Sequence, residues 1–256
     1  MKLEDGECVL VSGGTGIVGS GIIDELVRST AATIVALVRF HKGPQLIHDM
    51  QVLGHDLGAV GDRFVIIEGI DASGQMSGLV QKMKESGIKS INHVVSCFGG
   101  GFKKGPMSTL GEDDLHECVD RSMPHIRLMK EIWPMMRERA CGHSNMSYTF
   151  VDGMLGERCH MPQVAGLSVS NSFLYGCILA FQAENKDINI RINEVRIGVM
   201  VRKDATSDHP FMDKHDSSAA YPASLVGRHV IDLSLMDTSA DRGVFRITSQ
   251  ELGQPT

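Results

Sequence analysis

The absences in this sequence exclude several classes of protein. No apolar run approaches the roughly 20 residues that a membrane-spanning helix needs, so we expect no membrane span. No cluster of Lys and Arg occurs and the formal net charge is -6, which argues against nucleic acid as a partner. The six Cys include no C-x-x-C pair, so free thiols in a reducing compartment are expected rather than disulfides. The Cys and His spacings match no standard zinc pattern, and we expect no metal site.

The first residues of the chain bear on its compartment. Glu4 and Asp5 stand where a secretory or transit peptide would carry positive charge. We therefore expect a cytoplasmic protein. A chain trimmed after import into an organellar matrix or stroma would look the same, and that alternative stays open.

The bulk composition is that of one ordinary globular domain. The 256 residues are 42% hydrophobic and 22% charged, and no linker divides them. We therefore interpret residues 1–256 as a single domain. Residues 202–222 form a polar stretch rich in Asp, Ser, His and Pro, which we interpret as a mobile loop that could cover a ligand.

Short apolar runs alternate with helical patterns along the chain. Strands that are apolar throughout and separated by helices predict a parallel sheet covered on both faces. Right-handed crossovers then give an α/β fold with a Rossmann-type, doubly wound parallel sheet. The predicted strands are 7–12, 33–38, 64–68, 91–96, 145–150, 191–199 and 244–248, and the main predicted helices are 17–29, 112–139 and 167–184.

A glycine-rich turn lies between the first predicted strand and the first helix. Gly13 permits a tight turn, Gly16 lets the backbone approach a pyrophosphate, and Gly19 lets the helix pack closely on the sheet. The helix start supplies N–H groups for the phosphates. A tight turn without a ligand is the structural alternative. The other residues predicted to contact the cofactor in this turn are Thr15, Ile17 and Val18.

The end of the second predicted strand bears on which dinucleotide binds. An acidic residue there suits the ribose hydroxyls of NAD, whereas an Arg suits the 2′-phosphate of NADP. Arg39 lies twenty residues after Gly19, and Lys42 is close enough to assist. The sequence therefore favours NADP(H) as the cofactor. A solvated cation at a strand end is the alternative interpretation.

Four segments together resemble the short-chain dehydrogenase/reductase superfamily over about the first 200 residues. They are the turn 12–19 and the segments 68–71, 94–100 and 190–198. The resemblance implies that Asp71 touches the adenine and that Gly198 lies beside the nicotinamide. It also implies that the segment after the fourth strand lines the cofactor ribose, through Ser96, Phe98 and Gly99.

The catalytic residues of that superfamily are poorly matched. Its Tyr and Lys, four residues apart on one helix, fall at Leu167 and Asn171, which cannot transfer a proton or carry a charge. No Lys occurs between Lys130 and Lys186, so the missing Lys does not depend on the alignment. The family's Asn position falls near residues 121–122. Its Ser position corresponds to Ser147.

Two hypotheses about function follow from this departure. The first is an NADP(H)-dependent carbonyl or alcohol oxidoreductase with a non-standard acid, in which Ser147 and Tyr148 face the substrate carbonyl. The second is a non-catalytic NADP(H)-binding member that acts as a sensor, a scaffold or a subunit of a larger assembly. Cys97 is interpreted as a buried thiol rather than a nucleophile.

The resemblance also implies a homo-oligomer that associates through the helices predicted at 112–139 and 167–184. Phe173, Ile178 and Phe181 are the candidate contacts on the second of these helices. The alternative is that these side chains pack on the sheet of their own chain.

Overall fold

The computed structural model describes residues 3, 6–69, 76–99, 102–140, 145–206, 220–236 and 243–253. Within this part of the chain nine strands occur. They are β1 (Cys8–Ser12), β2 (Thr33–Leu37), β3 (Phe64–Ile67), β4 (His93–Ser96), β5 (Ser147–Gly153), β6 (Arg191–Ile197), β7 (Val201–Arg202), β8 (Tyr221–Pro222) and β9 (Val244–Ile247).

Seven of these strands form one sheet in the order β3-β2-β1-β4-β5-β6-β9. All six neighbouring pairs are parallel, so the carboxyl ends of the strands lie along one edge. The chain first builds outward from β1 to β3 and then returns to add β4 on the other side of β1. The doubly wound sheet expected from the sequence is confirmed.

Helices connect the strands and cover both faces of the sheet. They are α1 (Ile17–Ser29), α2 (Gly43–Val52), α3 (Leu57–Val60), α4 (Leu79–Glu85), α5 (Glu112–Asp120), α6 (Met123–Ala140), α7 (Ala165–Glu184), α8 (Ala223–Ile231) and α9 (Ser249–Leu252). The helix predicted at 112–139 is in fact two, α5 and α6. The break precedes Pro124, which has no N–H to donate and lies in the first turn of α6, whereas Pro134 lies inside the same helix.

The core has two parts, one on each face of the sheet. One part packs α1, α2 and α8 against the sheet through residues such as Ile22, Leu46 and Val226. The other packs α4, α6 and α7 through residues that include Ile178 and Phe181. Since Ile178 and Phe181 are buried in the core of their own chain, they are not the partner contacts that we had considered for α7.

The polar stretch after β6 begins and ends in a small sheet. β7 and β8 pair in parallel, with Val201 opposite Tyr221 and Arg202 opposite Pro222, so the two ends of the stretch lie side by side. Residues 207–219, most of the predicted loop, fall outside the described residues.

No helix in the described ranges is long and apolar enough to cross a membrane. The five cysteines that lie in those ranges are all free thiols, as expected; they are Cys8, Cys97, Cys118, Cys159 and Cys177.

Candidate functional site

The glycine turn lies at the point where the order of strands reverses. β1 is flanked by β2 on one side and by β4 on the other, and the chain leaves β1 at the carboxyl edge to enter α1. In open α/β sheets, ligands bind in the crevice outside the carboxyl ends of the strands at this reversal. The turn is therefore at the expected position for a bound ligand.

Close backbone contacts explain two of the glycines in the turn. Gly13 has a φ of +68°, and a Cβ there would lie 2.0 Å from the carbonyl oxygen of Cys97. A Cβ on Gly19 would lie 2.3 Å from the carbonyl oxygen of Gly13, so the helix start is pressed against the turn itself. Gly16 is exposed and is the N-cap of α1, with no side-chain cap. Its neighbours Thr15, Ile17 and Val18 are half-buried.

The start of α1 therefore has the properties of an anion site. The first N–H groups of a helix have no partner within the helix, and the helix dipole adds partial positive charge there. At α1 they lie beside an exposed glycine, where a phosphate can approach the backbone. The residues present fit the pyrophosphate of a dinucleotide.

The segment after β4 forms the neighbouring wall of the crevice. The Cys97 N–H donates a 2.9 Å hydrogen bond to Ser12 Oγ, which joins this segment to the end of β1. Phe98 is half-buried and Gly99 is exposed. Burial raises the pKa of the Cys97 thiol to about 12, so the thiol stays protonated at neutral pH, in agreement with its interpretation as a structural residue.

Ser96 does not use its side chain in the way expected. It is fully buried, and its Oγ lies 2.8 Å from Nδ1 of His125 on α6. His125 Nε2 lies 3.2 Å from the carbonyl oxygen of Phe98. The hydroxyl of Ser96 therefore contacts His125 inside the protein, and His125 in turn contacts the loop after β4. This hydroxyl does not point toward a ribose.

Arg39, the predicted contact to the 2′-phosphate, is exposed two residues beyond the end of β2. The next residue, Phe40, is 66% exposed and approaches Gly69 at the end of β3. The Lys42 ammonium donates to Gln45 Oε1 at 2.9 Å. Asp71, the expected adenine contact, falls outside the described residues.

A buried lysine supports the glycine turn from within the protein. Lys203 follows β7, and its Nζ donates to Asp49 Oδ2 on α2 at 2.6 Å and to the carbonyl oxygen of Thr15 at 3.3 Å. Both side chains of the ion pair are almost fully buried. We did not find this residue from the sequence, because only the fold brings residues 15, 49 and 203 together.

Ser147 and Tyr148 lie at the wrong end of the sheet for the role we expected. β5 runs Ser147–Gly153 rather than ending at residue 150, so Ser147 starts the strand, beside the first residues of β4 and β6. The carboxyl end of β5 is six residues further on, about 20 Å away. Tyr148 is fully buried, with its ring centroid 4.7 Å from that of Phe150. The hypothesis that these two residues face a substrate carbonyl is therefore wrong.

Gly153 and Met154 are at the carboxyl end of β5 instead. A Cβ on Gly198, just after β6, would lie 2.3 Å from Met154 Sδ, so this methionine packs directly on Gly198. Leu167 on α7 is half-buried, and Asn171 one turn later is buried. The Asn171 amide donates to the carbonyl oxygen of Gly153 at 2.8 Å and thus holds the end of the strand.

A cluster of charged groups lies beneath this end of β5. Arg196 on β6 donates to both carboxyl oxygens of Glu194, at 2.6 and 2.9 Å, and to Glu157 at 2.7 Å. Its guanidinium lies 3.5 Å from the ring centroid of Tyr175 on α7. Asp152, the residue before Gly153, is opposite Arg196 in the strand pairing. Sequence inspection missed this cluster. The charged residues within the strand predicted at 191–199, Glu194 and Arg196, were the available signal.

Fold and turn together define a Rossmann-type dinucleotide-binding domain. A family model described as the KR domain matches residues 8–137, about half of the chain. The chain belongs to this family, within the short-chain dehydrogenase/reductase superfamily of oxidoreductases, whose members bind a nicotinamide dinucleotide. The superfamily expected from the sequence is confirmed.

Individual proteins are similar to this chain in sequence or in fold. A short-chain dehydrogenase/reductase of Pestalotiopsis fici, iacG, is 24% identical over 207 residues, which cover 79% of this chain and 77% of that protein. A short-chain dehydrogenase/reductase from Serratia marcescens superposes with a TM-score of 0.74 at 16% identity, covering 95% of this chain and 96% of the other.

An NADPH-bound short-chain oxidoreductase from Pseudomonas aeruginosa, described as containing an atypical catalytic center, also has the same fold. It superposes with a TM-score of 0.77 at 10% identity, covering 96% of this chain and 97% of the other.

Proposed function

We propose that the protein binds NADP(H) at the carboxyl edge of the sheet and transfers a hydride between the nicotinamide and a carbonyl or alcohol. The observation that carries this proposal is the turn at residues 13–19. The backbone around Gly13 and Gly19 leaves no room for a Cβ at either residue, and the start of α1 is exposed. The N–H groups at such a helix start suit a pyrophosphate.

The choice of NADP over NAD rests on Arg39. A guanidinium at the end of β2 can pair with a 2′-phosphate, whereas NAD would be served by a carboxylate at this place. Arg39 is exposed and lies two residues beyond the end of β2, at this edge of the sheet. The Pseudomonas aeruginosa protein of the same fold is described as NADPH-bound, which agrees with this choice.

The chain must also supply a group that stabilises the substrate oxygen. When bound, a reduced nicotinamide provides the hydride. Leu167 has no proton to give, and the Asn171 amide is engaged with Gly153. The proton donor therefore differs from the Tyr of the family. The atypical catalytic center described for the Pseudomonas aeruginosa oxidoreductase supports an enzyme with a different set of groups.

A second candidate is a non-catalytic NADP(H)-binding protein that acts as a sensor, scaffold or subunit. Met154 packs on Gly198, which the resemblance puts beside the nicotinamide, and so lines that region with apolar atoms. Such a lining, together with Leu167, favours binding without proton transfer.

Binding is tested by calorimetry with NADPH and NADH on the wild type and on Arg39→Ala. Loss of a charge-assisted hydrogen bond costs about 1.5–3 kcal/mol, so we expect NADPH to bind roughly tenfold to a hundredfold more weakly and NADH to change little. Arg137→Ala is the matched control, because Arg137 is exposed near the end of α6, away from the turn. Equal affinity of the wild type for both nucleotides would overturn the assignment of NADP.

Activity is tested separately with a panel of aldehydes and ketones and with NADPH as the reductant. Turnover of any panel member by the wild type supports the oxidoreductase. Tight NADPH binding with no turnover would support the second candidate instead.

A further inference from the structure

The peptide unit between Thr15 and Gly16 in the glycine turn is held at both of its polar groups. Its carbonyl oxygen, on Thr15, accepts a 3.3 Å hydrogen bond from Nζ of Lys203. Its N–H, on Gly16, donates a 2.8 Å hydrogen bond to the carbonyl oxygen of Gly13. Because a trans peptide unit is planar and its C=O and N–H point in opposite directions, the two bonds together fix the orientation of the whole unit.

The direction of the Thr15 carbonyl matters for an anion at the start of α1. Lys203 is almost fully buried, so the carbonyl that meets its ammonium points into the protein. The next residue, Gly16, is exposed and is the N-cap of α1. A carbonyl turned outward here would present the negative end of its dipole to a phosphate. The observed orientation leaves the exposed side to the N–H groups of the helix start.

The Lys203 ammonium is itself fixed by its ion pair with Asp49 on α2. Nζ donates to Oδ2 at 2.6 Å, and both side chains are almost fully buried. An ammonium is stable in such a place only with a carboxylate partner, so Asp49 keeps the charge at this position. An ammonium has three donors, and Lys203 can therefore bind the carboxylate and the Thr15 carbonyl together.

The backbone of the turn would change its orientation easily without this contact. Gly13 has a φ of +68° and Gly16 has no Cβ, so more backbone conformations are open here than in a segment without glycine. Loss of Lys203 would take away the buried donor of the Thr15 carbonyl, and a buried carbonyl without a donor is costly. Rotation of the peptide unit toward solvent would remove that cost, and it would also break the bond from Gly16 to Gly13.

We propose that Lys203 is a positioning residue for the pyrophosphate of the cofactor. Together with Asp49, it keeps the carbonyl of Thr15 turned inward, so that the phosphates meet only the N–H groups at the start of α1. This inference rests on the proposed binding of NADP(H) at the glycine turn. Lys203 acts through Thr15 and needs no contact of its own with the cofactor, because its ammonium is buried and engaged with Asp49 and Thr15.

The test uses the double variant Lys203→Met/Asp49→Leu, which removes the contact without leaving a lone buried charge. Its matched control is Arg228→Met/Glu25→Leu, which removes the ion pair between α8 and α1, about two turns beyond the start of α1. Calorimetry compares two ligands: NADPH, and adenosine 2′-monophosphate, which carries the 2′-phosphate but no pyrophosphate. Hydrogen exchange of the Gly16 amide reports the orientation of the peptide unit itself.

We expect Lys203→Met/Asp49→Leu to bind NADPH roughly tenfold to a hundredfold more weakly, the range for loss of one charge-assisted hydrogen bond. It should bind adenosine 2′-monophosphate as tightly as the wild type does, because Arg39 is unchanged. Arg39→Ala, in contrast, should weaken the binding of both ligands. The control double variant should match the wild type with both.

Hydrogen exchange should separate the turn from the helix that follows it. In Lys203→Met/Asp49→Leu the Gly16 amide should exchange faster, since its bond to Gly13 is lost. The Ser20 amide donates to the carbonyl oxygen of Gly16 at 3.0 Å at the start of α1, and it should keep its protection.

Three results would overturn the role of Lys203. The first is a Lys203→Met/Asp49→Leu variant that binds NADPH as tightly as the wild type. The second is an equal loss of affinity for NADPH and adenosine 2′-monophosphate, which would mean that the ion pair supports only the fold as a whole. The third is unchanged exchange of the Gly16 amide. A wild type that binds neither ligand would instead overturn the proposed binding of NADP(H), and with it this role.

Discussion

Lys203 and Asp49 form a buried ion pair in which Nζ and Oδ2 are 2.6 Å apart. The same ammonium also donates to the carbonyl oxygen of Thr15 in the glycine turn. Through this contact the segment after β7 and helix α2 both brace the turn. The cofactor crevice is therefore supported by residues from three distant parts of the chain.

Removing Lys203 should destabilise the protein strongly. Lys203→Met leaves the Asp49 carboxylate buried without its partner, which costs about 3–5 kcal/mol for pairs of this kind. The free energy of unfolding, measured by urea denaturation, should fall by that amount.

The double variant Lys203→Met/Asp49→Leu serves as its control. Replacing a whole buried pair with apolar residues is often neutral, so the double variant should recover most of the loss. A single variant that loses less than about 1 kcal/mol would contradict the burial of this pair.

Gly13→Ala should damage both stability and NADPH binding. A Cβ at this position meets the carbonyl oxygen of Cys97 at 2.0 Å, so the turn and the loop after β4 would have to separate. Calorimetry should show a large loss of NADPH affinity, and thermal unfolding a lower Tm.

Gly54→Ala is the matched control for Gly13→Ala. Gly54 has a φ of +86°, in the same left-handed region, but a Cβ there would have open space around it. Gly54→Ala should therefore cost only the backbone strain, about 1 kcal/mol, and leave NADPH binding intact. If both variants lose the same stability and NADPH affinity, the close contact at Gly13 does not determine either property.

His125 should make stability depend on pH in the mildly acidic range. Burial lowers the pKa of this imidazole to about 4, against about 6.5 in the unfolded chain. The folded state thus excludes the proton, and stability that is complete above pH 6.5 is lost as pH falls toward 4. A shift of this size corresponds to about 3 kcal/mol.

The measurement is the free energy of unfolding of His125→Gln and of the wild type between pH 7 and pH 4. The comparison separates the contribution of His125 from that of other titrating groups. The variant should lose less stability over that range. Parallel curves would show that His125 does not titrate as its burial requires.

Asp152→Asn should be more stable than the wild type at neutral pH. Burial and the negative charge of Glu194 raise the pKa of Asp152 well above its usual range, so the folded protein keeps a proton that the unfolded chain releases above about pH 4. The wild type therefore loses stability relative to the variant as pH rises from 4. Urea denaturation at pH 3.5 and pH 7 should show the difference only at the higher pH. An equal difference at both pH values would mean that Asp152 is ionised in the fold.

The sequence predicted the strands and helices of the fold well and the positions of the candidate catalytic residues poorly. The first helix was predicted at 17–29 and spans Ile17–Ser29, and the strands of the sheet were found as short runs, most of them apolar, between helical patterns. The largest error in a strand end was at β5, which was predicted to end at residue 150 but ends at Gly153. Asp152 interrupts its apolar pattern, and only the pairing with Arg196 and Ile197 on β6 continues the strand that far.

Local sequence by itself determined that this chain forms a parallel sheet with a glycine turn between β1 and α1, because periodicity and glycine conformation act over a few residues. The tertiary structure alone decided where the strands end and which groups the buried side chains contact. The end of β5 depends on hydrogen bonds to β6, and the environment of Asp152 depends on Glu194, Arg196 and Tyr175, which are distant in sequence. Burial and neighbouring charge set the proton affinity of a carboxyl, and neither is a local property of the chain.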